Sequence, residues 1–350
     1  MLKQALSLKK FFSWPELISN AAAMKKARSP IRGYLTTICF WALMDIGVLN
    51  HLSKGSKLSL KDFAQTHSLN ENILLFICRY LSRNHYMKIH DDNVELTSKG
   101  LKFWRDVYGV FHLFFAYEPL FSSLSLQLKN KATFSKEVFR RENEVALGFS
   151  ELGKSFMFKI MRGIIQDYGF KSMIELGCGE AELSAFLCER DPSIQCLGID
   201  HSPEVIHKAK ERAKRLNLDS RIQFLLADIF EIDKIQQDFS SYELVTAIDL
   251  FHGYFWEGPK KLILCFKKLK AVFDRSQFLI SEICLPPHNA MKRIAYPYVE
   301  HELFHDLSHQ KTFAPGELEH LFEQAGFQIK KKWVFNKIAG RICLLLQNTY

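Results

Sequence analysis

Residues 172–182, Ser-Met-Ile-Glu-Leu-Gly-Cys-Gly-Glu-Ala-Glu, place an acid, Glu175, at the end of an apolar run and glycines at 177 and 179 directly after it. A backbone that must turn out of a strand and admit a ligand closely needs residues without a Cβ. Glu175 argues against a phosphate cradle, because a carboxylate repels pyrophosphate but favours an ammonium or sulfonium group. A second acid, Asp200, ends the next apolar run, Cys196-Leu-Gly-Ile-Asp200. It lies about twenty residues on, the offset at which open α/β sheets take a ribose diol between carboxylate oxygens. The two acids and the turn describe a site for a cationic nucleoside.

The elements that must position these groups are strands, each an apolar run ending in an acid or a glycine. The run resembles motif I and the following acidic position of class I S-adenosylmethionine (SAM)-dependent methyltransferases, whose usual form is acid-x-Gly-x-Gly-x-Gly. Here Ala181 holds the third glycine position. Close packing of helix on strand is the main demand there, and a methyl group is expected to fit. The resemblance continues through Leu225-Leu-Ala-Asp228-Ile229-Phe230, where an acid and its apolar neighbour hold adenine, and through Asp249 after the fourth strand. It covers roughly residues 165–350. It implies an α/β, Rossmann-like SAM-dependent methyltransferase sheet, with SAM bound by Glu175, Gly177, Gly179, Asp200, His201, Asp228, Ile229 and Asp249.

Methyl transfer from a sulfonium is an in-line displacement, so a nucleophile must be held about 3 Å from the methyl carbon and helped to lose its proton. In an open α/β sheet that work falls just beyond the carboxyl ends of strands four and five. Those residues are Asp249-Leu-Phe-His252-Gly-Tyr-Phe-Trp256 and Glu282. In the O-methyltransferases that the chain resembles, the base is a histidine in a His-Asp-Trp-like run after strand four. His252 takes that place, with Gly253 where the family has Asp.

A second cluster, His301-Glu-Leu-Phe-His305-Asp-Leu-Ser-His309, falls in what reads as a loop after strand five, although His301 and His305 stand at i, i+4, the spacing of one helical face. With His252 it resembles a bacterial subgroup that methylates the carbon next to the carbonyl of 2-oxo acids. That resemblance implies a divalent or ferric metal ion on His252 and His305, withdrawing charge from a chelated substrate so that an enolate forms near neutral pH. Glu282 then either completes a facial triad or caps a neighbouring amide. The residue-level alternatives stay open: His305 as a loop histidine on a carbonyl, Tyr254 and Trp256 as pocket wall or core, and His252 as general base in an O-methylation.

At 350 residues two domains are expected. Over 35–105 the order is helix, turn, amphipathic helix from Glu71 to Ser82, and a hairpin about Asp91-Asp-Asn93, as in a winged helix. The candidate recognition helix carries Ile73, Leu74, Leu75, Phe76 and Ile77 against only Arg79 and Arg83. A groove-reading helix offers more polar groups to the bases. With the SAM fold, this pattern resembles O-methyltransferases whose N-terminal helical, winged-helix domain dimerises. The expected plan is a dimerisation domain over 1–105, a helical linker and pocket roof over 106–168, and the methyltransferase domain over 169–350. The competing reading from another class is a SAM-binding winged-helix DNA regulator.

The thirty Phe residues, several in Phe111-His-Leu-Phe-Phe115, point to a large buried apolar surface, read as a homodimer interface. The net charge of +9 is spread over helix faces such as Lys208, Lys210 and Lys214, so nucleic acid is not expected as a partner. The longest apolar stretch, near Thr36–Leu49, is broken by Asp45 and too short for a span, so no membrane partner is expected. Eight scattered cysteines give no C-x-x-C pair, and no signal peptide is evident, so a cytoplasmic setting with a small-molecule methyl acceptor is expected.

Overall fold

In the computed structural model the described residues are 13–284, 297–335 and 340–348, and the chain divides into two units, 1–111 and 112–350.

In the first unit, helix α1 runs from Trp14 to Asp45 and α2 from Val48 to Leu52. Helix α1 begins about twenty residues before the start near 35 that the apolar pattern suggested. Its first turn is set by a capping box in which the Ser13 side chain accepts from the Glu16 amide while Glu16 accepts from Ser13 N at 2.7 Å. Strand β1 (Leu58–Ser59), helices α3 (Leu60–Thr66) and α4 (Glu71–Arg83), and strands β2 (Met87–His90) and β3 (Asn93–Leu96) follow, the three strands in the order β1-β3-β2. Leu74, Cys78 and Leu81 share one face of α4 and are buried, while Ile73 and Phe76 stand exposed. An aromatic centre forms round Phe40, whose ring lies 5.0 Å from Phe103 and 5.4 Å from Tyr86. Helix α5 (Ser98–Ala116) runs past the boundary between the units.

The second unit opens with helices α6 (Glu118–Ser122), α7 (Leu124–Leu128) and α8 (Glu142–Leu152), a π-helical turn at Gly153–Met157, and α9 (Phe158–Tyr168). Then β4 (Ser172–Leu176), α10 (Glu182–Cys188), β5 (Gln195–Asp200), α11 (Pro203–Arg215) and β6 (Ile222–Leu226) alternate strand with helix, and a 3-10 turn at Ile229–Lys234 leads to β7 (Leu244–Ile248). A short helix α12 (His252–Phe255), α13 (Pro259–Val272), β8 (Gln277–Ile283), α14 (Tyr298–Leu307), α15 (Glu317–Gln324), β9 (Phe327–Val334) and β10 (Arg341–Asn348) complete it. The sheet order is β6-β5-β4-β7-β8-β10-β9, parallel except where β10 pairs antiparallel with β8 and β9.

Order reverses between β4 and β7, which puts the crevice for a ligand outside their carboxyl ends. Helices cover both faces of the central strands, so Met173, Ile174, Leu176, Leu244, Val245 and Ala247 form continuous apolar runs. The edge strand β9 carries Lys330, Lys331 and Lys332, which discourage pairing with another chain. Phe266 stacks on Phe322 at 4.0 Å and meets Phe251 edge-on at 4.8 Å. The Phe111–Phe115 run serves more than one surface. Phe111 packs on Trp41 and Phe103 in the first unit, while Phe114 meets Phe304 in the second. Among the described residues, no helix is long and apolar enough to cross a membrane.

Candidate active site

The turn after β4 is left-handed at three alternate residues: Gly177 (φ 64°), Gly179 (φ 53°) and Ala181 (φ 59°). A Cβ on Gly177 would fall 2.6 Å from Leu250 Cδ1, so both space and backbone require glycine there. The packing account of position 181 is incomplete, because Ala181 holds a conformation that costs an L-residue about 1–2 kcal/mol. Ala181→Gly is therefore expected to stabilise the protein by about 0.5–1 kcal/mol, read by chemical denaturation. A fall in stability would refute the strain.

The acids beside this turn are tied to its backbone. Glu175 is buried; its Oε2 accepts from Ser184 N at 3.1 Å and from the Ser184 hydroxyl, holding β4 to α10. Burial pushes its carboxyl up to about 7, against the pull of Ser184. Asp200 Oδ2 accepts from Gly179 N at 3.1 Å and its Oδ1 from Ser202 N at 3.0 Å, so the ends of β4 and β5 are fixed together. His201 is exposed, with Nδ1 3.5 Å from Asp200 Oδ1. Asp228 accepts from Phe230 N at 2.9 Å and caps the turn that buries Ile229. A carboxylate has about four lone-pair sites, so each acid keeps capacity for a ligand. Tyr254 meets Phe230 edge-on at 4.8 Å; its phenol is raised by burial first and then by Asp228 and Asp200, which places it beside both acids.

A separate cavity of about 360 Å³ opens beyond β7 and β8. Its lining includes Asp249, His252, His301, His305, Arg140 and Arg341, set among apolar side chains. His252 Nδ1 lies 3.0 Å from Glu282 Oε2, and Glu282 Oε1 accepts from Phe251 N at 2.5 Å. A carboxylate only accepts, so Nδ1 carries the proton and Nε2 keeps a lone pair in the neutral ring. Burial alone would depress the His252 pKa, but the charge and hydrogen bond of Glu282 outweigh it and the value is raised.

His305 does not sit in a loop. It lies on α14, where Tyr298, His301, Phe304 and His305 are all buried at helical spacing. Counting histidine as polar hides that apolar face from a periodicity reading. His305 Nδ1 lies 2.9 Å from the His301 carbonyl, which can only accept, so this ring also keeps its lone pair on Nε2. Burial, reinforced by neighbouring histidine charge, holds both His301 and His305 well below the usual imidazole range. The His252 and His305 ring centres stand 5.1 Å apart.

Asp249, His252 and Glu282 also bring one ligand atom each within 4.8 Å of one another. Both carboxylates, however, are engaged elsewhere. Asp249, at φ 50°, forms a bidentate pair with Arg341, Nη1 to Oδ1 at 2.6 Å, and Glu282 stands behind His252 as its orienting partner. Two imidazoles whose Nδ1 atoms are tied to protein acceptors are the better metal donor set, because such partners fix the tautomer and the ring orientation. Bonds of about 2.1 Å at a near-tetrahedral angle put two imidazole centres about 5 Å apart, a spacing that the 5.1 Å between these rings matches.

Four polar residues of this cavity carry no sequence signal. Arg140 donates Nε to Glu142 at 2.7 Å and Nη1 to Tyr117 Oη at 3.1 Å, and Tyr117 donates on to Gln310 at 3.2 Å. Arg341 reaches the site from the antiparallel strand at the far end of the chain.

Residues 170–333 match the family described as a methyltransferase domain. The match spans a little under half of the chain, and with the fold and the crevice with acids at consecutive strand ends it marks residues 170–333 as a SAM-dependent methyltransferase domain. A methyltransferase (ungE') of Aspergillus campestris is 22% identical over 253 residues, 70% of this chain and 72% of that protein. The 2-ketoarginine methyltransferase of Streptomyces arginensis is 23% identical over 184 residues, 51% of this chain and 52% of its own length. In fold, the chain resembles the mitomycin 7-O-methyltransferase structure at a TM-score of 0.68 and 14% identity, over 95% of this chain and 100% of that one.

Proposed function

We propose that the protein transfers a methyl group from SAM to the carbon beside the carbonyl of a small 2-oxo acid. The observation that carries this reading is the pair of buried imidazoles, His252 and His305, each with Nδ1 fixed by a protein acceptor and Nε2 left for a ligand. They would hold the metal. When bound, such an ion supplies Lewis acidity toward the carboxylate and keto oxygens of the acceptor. Glu282 holds the His252 ring in position, Arg140 contributes positive charge for the acceptor's carboxylate, and the cavity excludes water from the reacting carbon. The curated relative named for 2-ketoarginine favours the same reading.

On the cofactor side, Glu175 is assigned to the ammonium end, Asp200 with His201 to the ribose, and Asp228 and Ile229 to adenine, with Gly177 and Gly179 admitting the backbone closely. Asp249 serves the acceptor side through Arg341. The first unit is assigned to homodimer formation, through apolar residues exposed on α1 (Ile18, Met24, Ile31) and α4 (Ile73, Phe76).

The test is metal content with turnover. Protein purified without chelator should carry about one ion per chain, lose turnover of 2-oxo acids when stripped, and lose the ion in His305→Ala. Metal-free protein that stays active in chelator and ignores every 2-oxo acid would refute the proposal. The Glu282–His252 pair favours one second reading, O-methylation with His252 as general base. Under it, His305→Ala would retain most activity.

A further inference from the structure

The cavity's apolar lining is concentrated on one helix face. Val145, Phe149 and Leu152 fall at i, i+4 and i+7 of α8, joined by Leu113 and Phe156. All five are only partly buried by the protein, so apolar surface is left to be covered by a ligand. The cavity offers a cation no free carboxylate. Among the described residues its lining contains a single carboxylate, Asp249, already held at both oxygens by Arg341, against the cations Arg140 and Arg341. Residues 1–12, 285–296, 336–339 and 349–350 contain no Asp or Glu in the sequence, so they cannot supply an acid either.

We infer that the acceptor's tail is apolar, aliphatic or aromatic, and that the α8 face selects it against a cationic tail. This rests on the proposed 2-oxo acid reading and narrows it. A guanidinium or ammonium tail would lose its hydration, find no free carboxylate, and share the cavity with two arginines. An aromatic or branched tail would cover the α8 face without such a penalty.

The experiment compares phenylpyruvate with the guanidino-tailed 2-oxo acid of similar length, using the full-length protein as purified. Phenylpyruvate is expected to show the higher kcat/KM by roughly tenfold or more. Leu152→Glu, at a half-exposed position, should shrink that ratio several-fold by giving the guanidinium a partner. Equal or better turnover of the guanidino acid, or a ratio unmoved by Leu152→Glu, would overturn the inference while leaving 2-oxo acid methylation standing. Should neither acid turn over, calorimetry of the same two compounds with S-adenosylhomocysteine present separates the cases. Tighter binding of phenylpyruvate keeps the tail assignment and rejects the reaction. Tighter binding of the guanidino acid, or binding of neither, rejects the tail assignment.

Discussion

His252→Ala is expected to lower turnover about a thousandfold while leaving the affinity for SAM within a few-fold. His252 lines the cavity beyond β7 and β8, whereas the glycine turn and the tied acids Glu175, Asp200 and Asp228 lie on other strand ends, so under the proposed function loss of its ring removes chemistry and spares the cofactor. Two companion variants divide the possible roles. Glu282→Gln keeps shape but loses the charge that orients Nδ1, and a drop of about 10–100-fold is expected, the usual cost of losing a partner behind a ligand histidine. His305→Ala should match His252→Ala if both rings hold one ion, and should be mild if His252 acts alone as a base. Steady-state kinetics with SAM affinity measured in parallel checks all three. Persistent turnover in His252→Ala would remove the residue from the chemistry altogether.

Arg341→Met is expected to destabilise the second unit by about 3–5 kcal/mol, because it leaves the Asp249 carboxylate buried without its charged partner. The Asp249 side chain is only 7% exposed and that of Arg341 14%, so water compensates little for the lost pair. Asp249 also sits at φ 50°, which asparagine tolerates better than most residues. The double variant Arg341→Met with Asp249→Asn should therefore recover much of the loss, a coupling that a thermodynamic cycle reads directly. Thermal unfolding is the measurement, with a fall in Tm of about 10 °C expected for the single variant. A change below about 2 °C would mean that the pair is well solvated and holds nothing in place.

Residues that end apolar runs were legible in the sequence. Glu175, Asp200, Asp228 and Asp249 could be placed at strand ends because a parallel strand buried on both faces reads as an unbroken apolar run, and the sheet order then gathers those ends. The hairpin of β2 and β3 was legible from alternation. Contacts made only in three dimensions were not. Arg341 meets Asp249 across 92 positions of chain, and no local pattern announces that partner. Glu282 could be seen as a strand-end acid, but whether it binds a ligand or orients His252 depends on which ring it faces. Helix α14 showed in the sequence only as the i, i+4 spacing of His301 and His305, because a hydropathy pattern scores buried histidines as solvent-facing. Helix α1 was extended by a capping box at Ser13 and Glu16 that lies outside any apolar periodicity. Ala181 shows the opposite failure. A glycine position filled by alanine looked like a packing tolerance, and only the backbone angle reveals strain.

The central claim is that His252 and His305 build a site for carbon methylation. Its most direct measurement is the position of the new methyl group when the protein is given SAM carrying a ¹³C-labelled methyl and phenylpyruvate, read by NMR of the product. The label is expected on the carbon next to the carbonyl. A label on oxygen, or no labelled product from any 2-oxo acid while a hydroxyl acceptor is methylated, would contradict it.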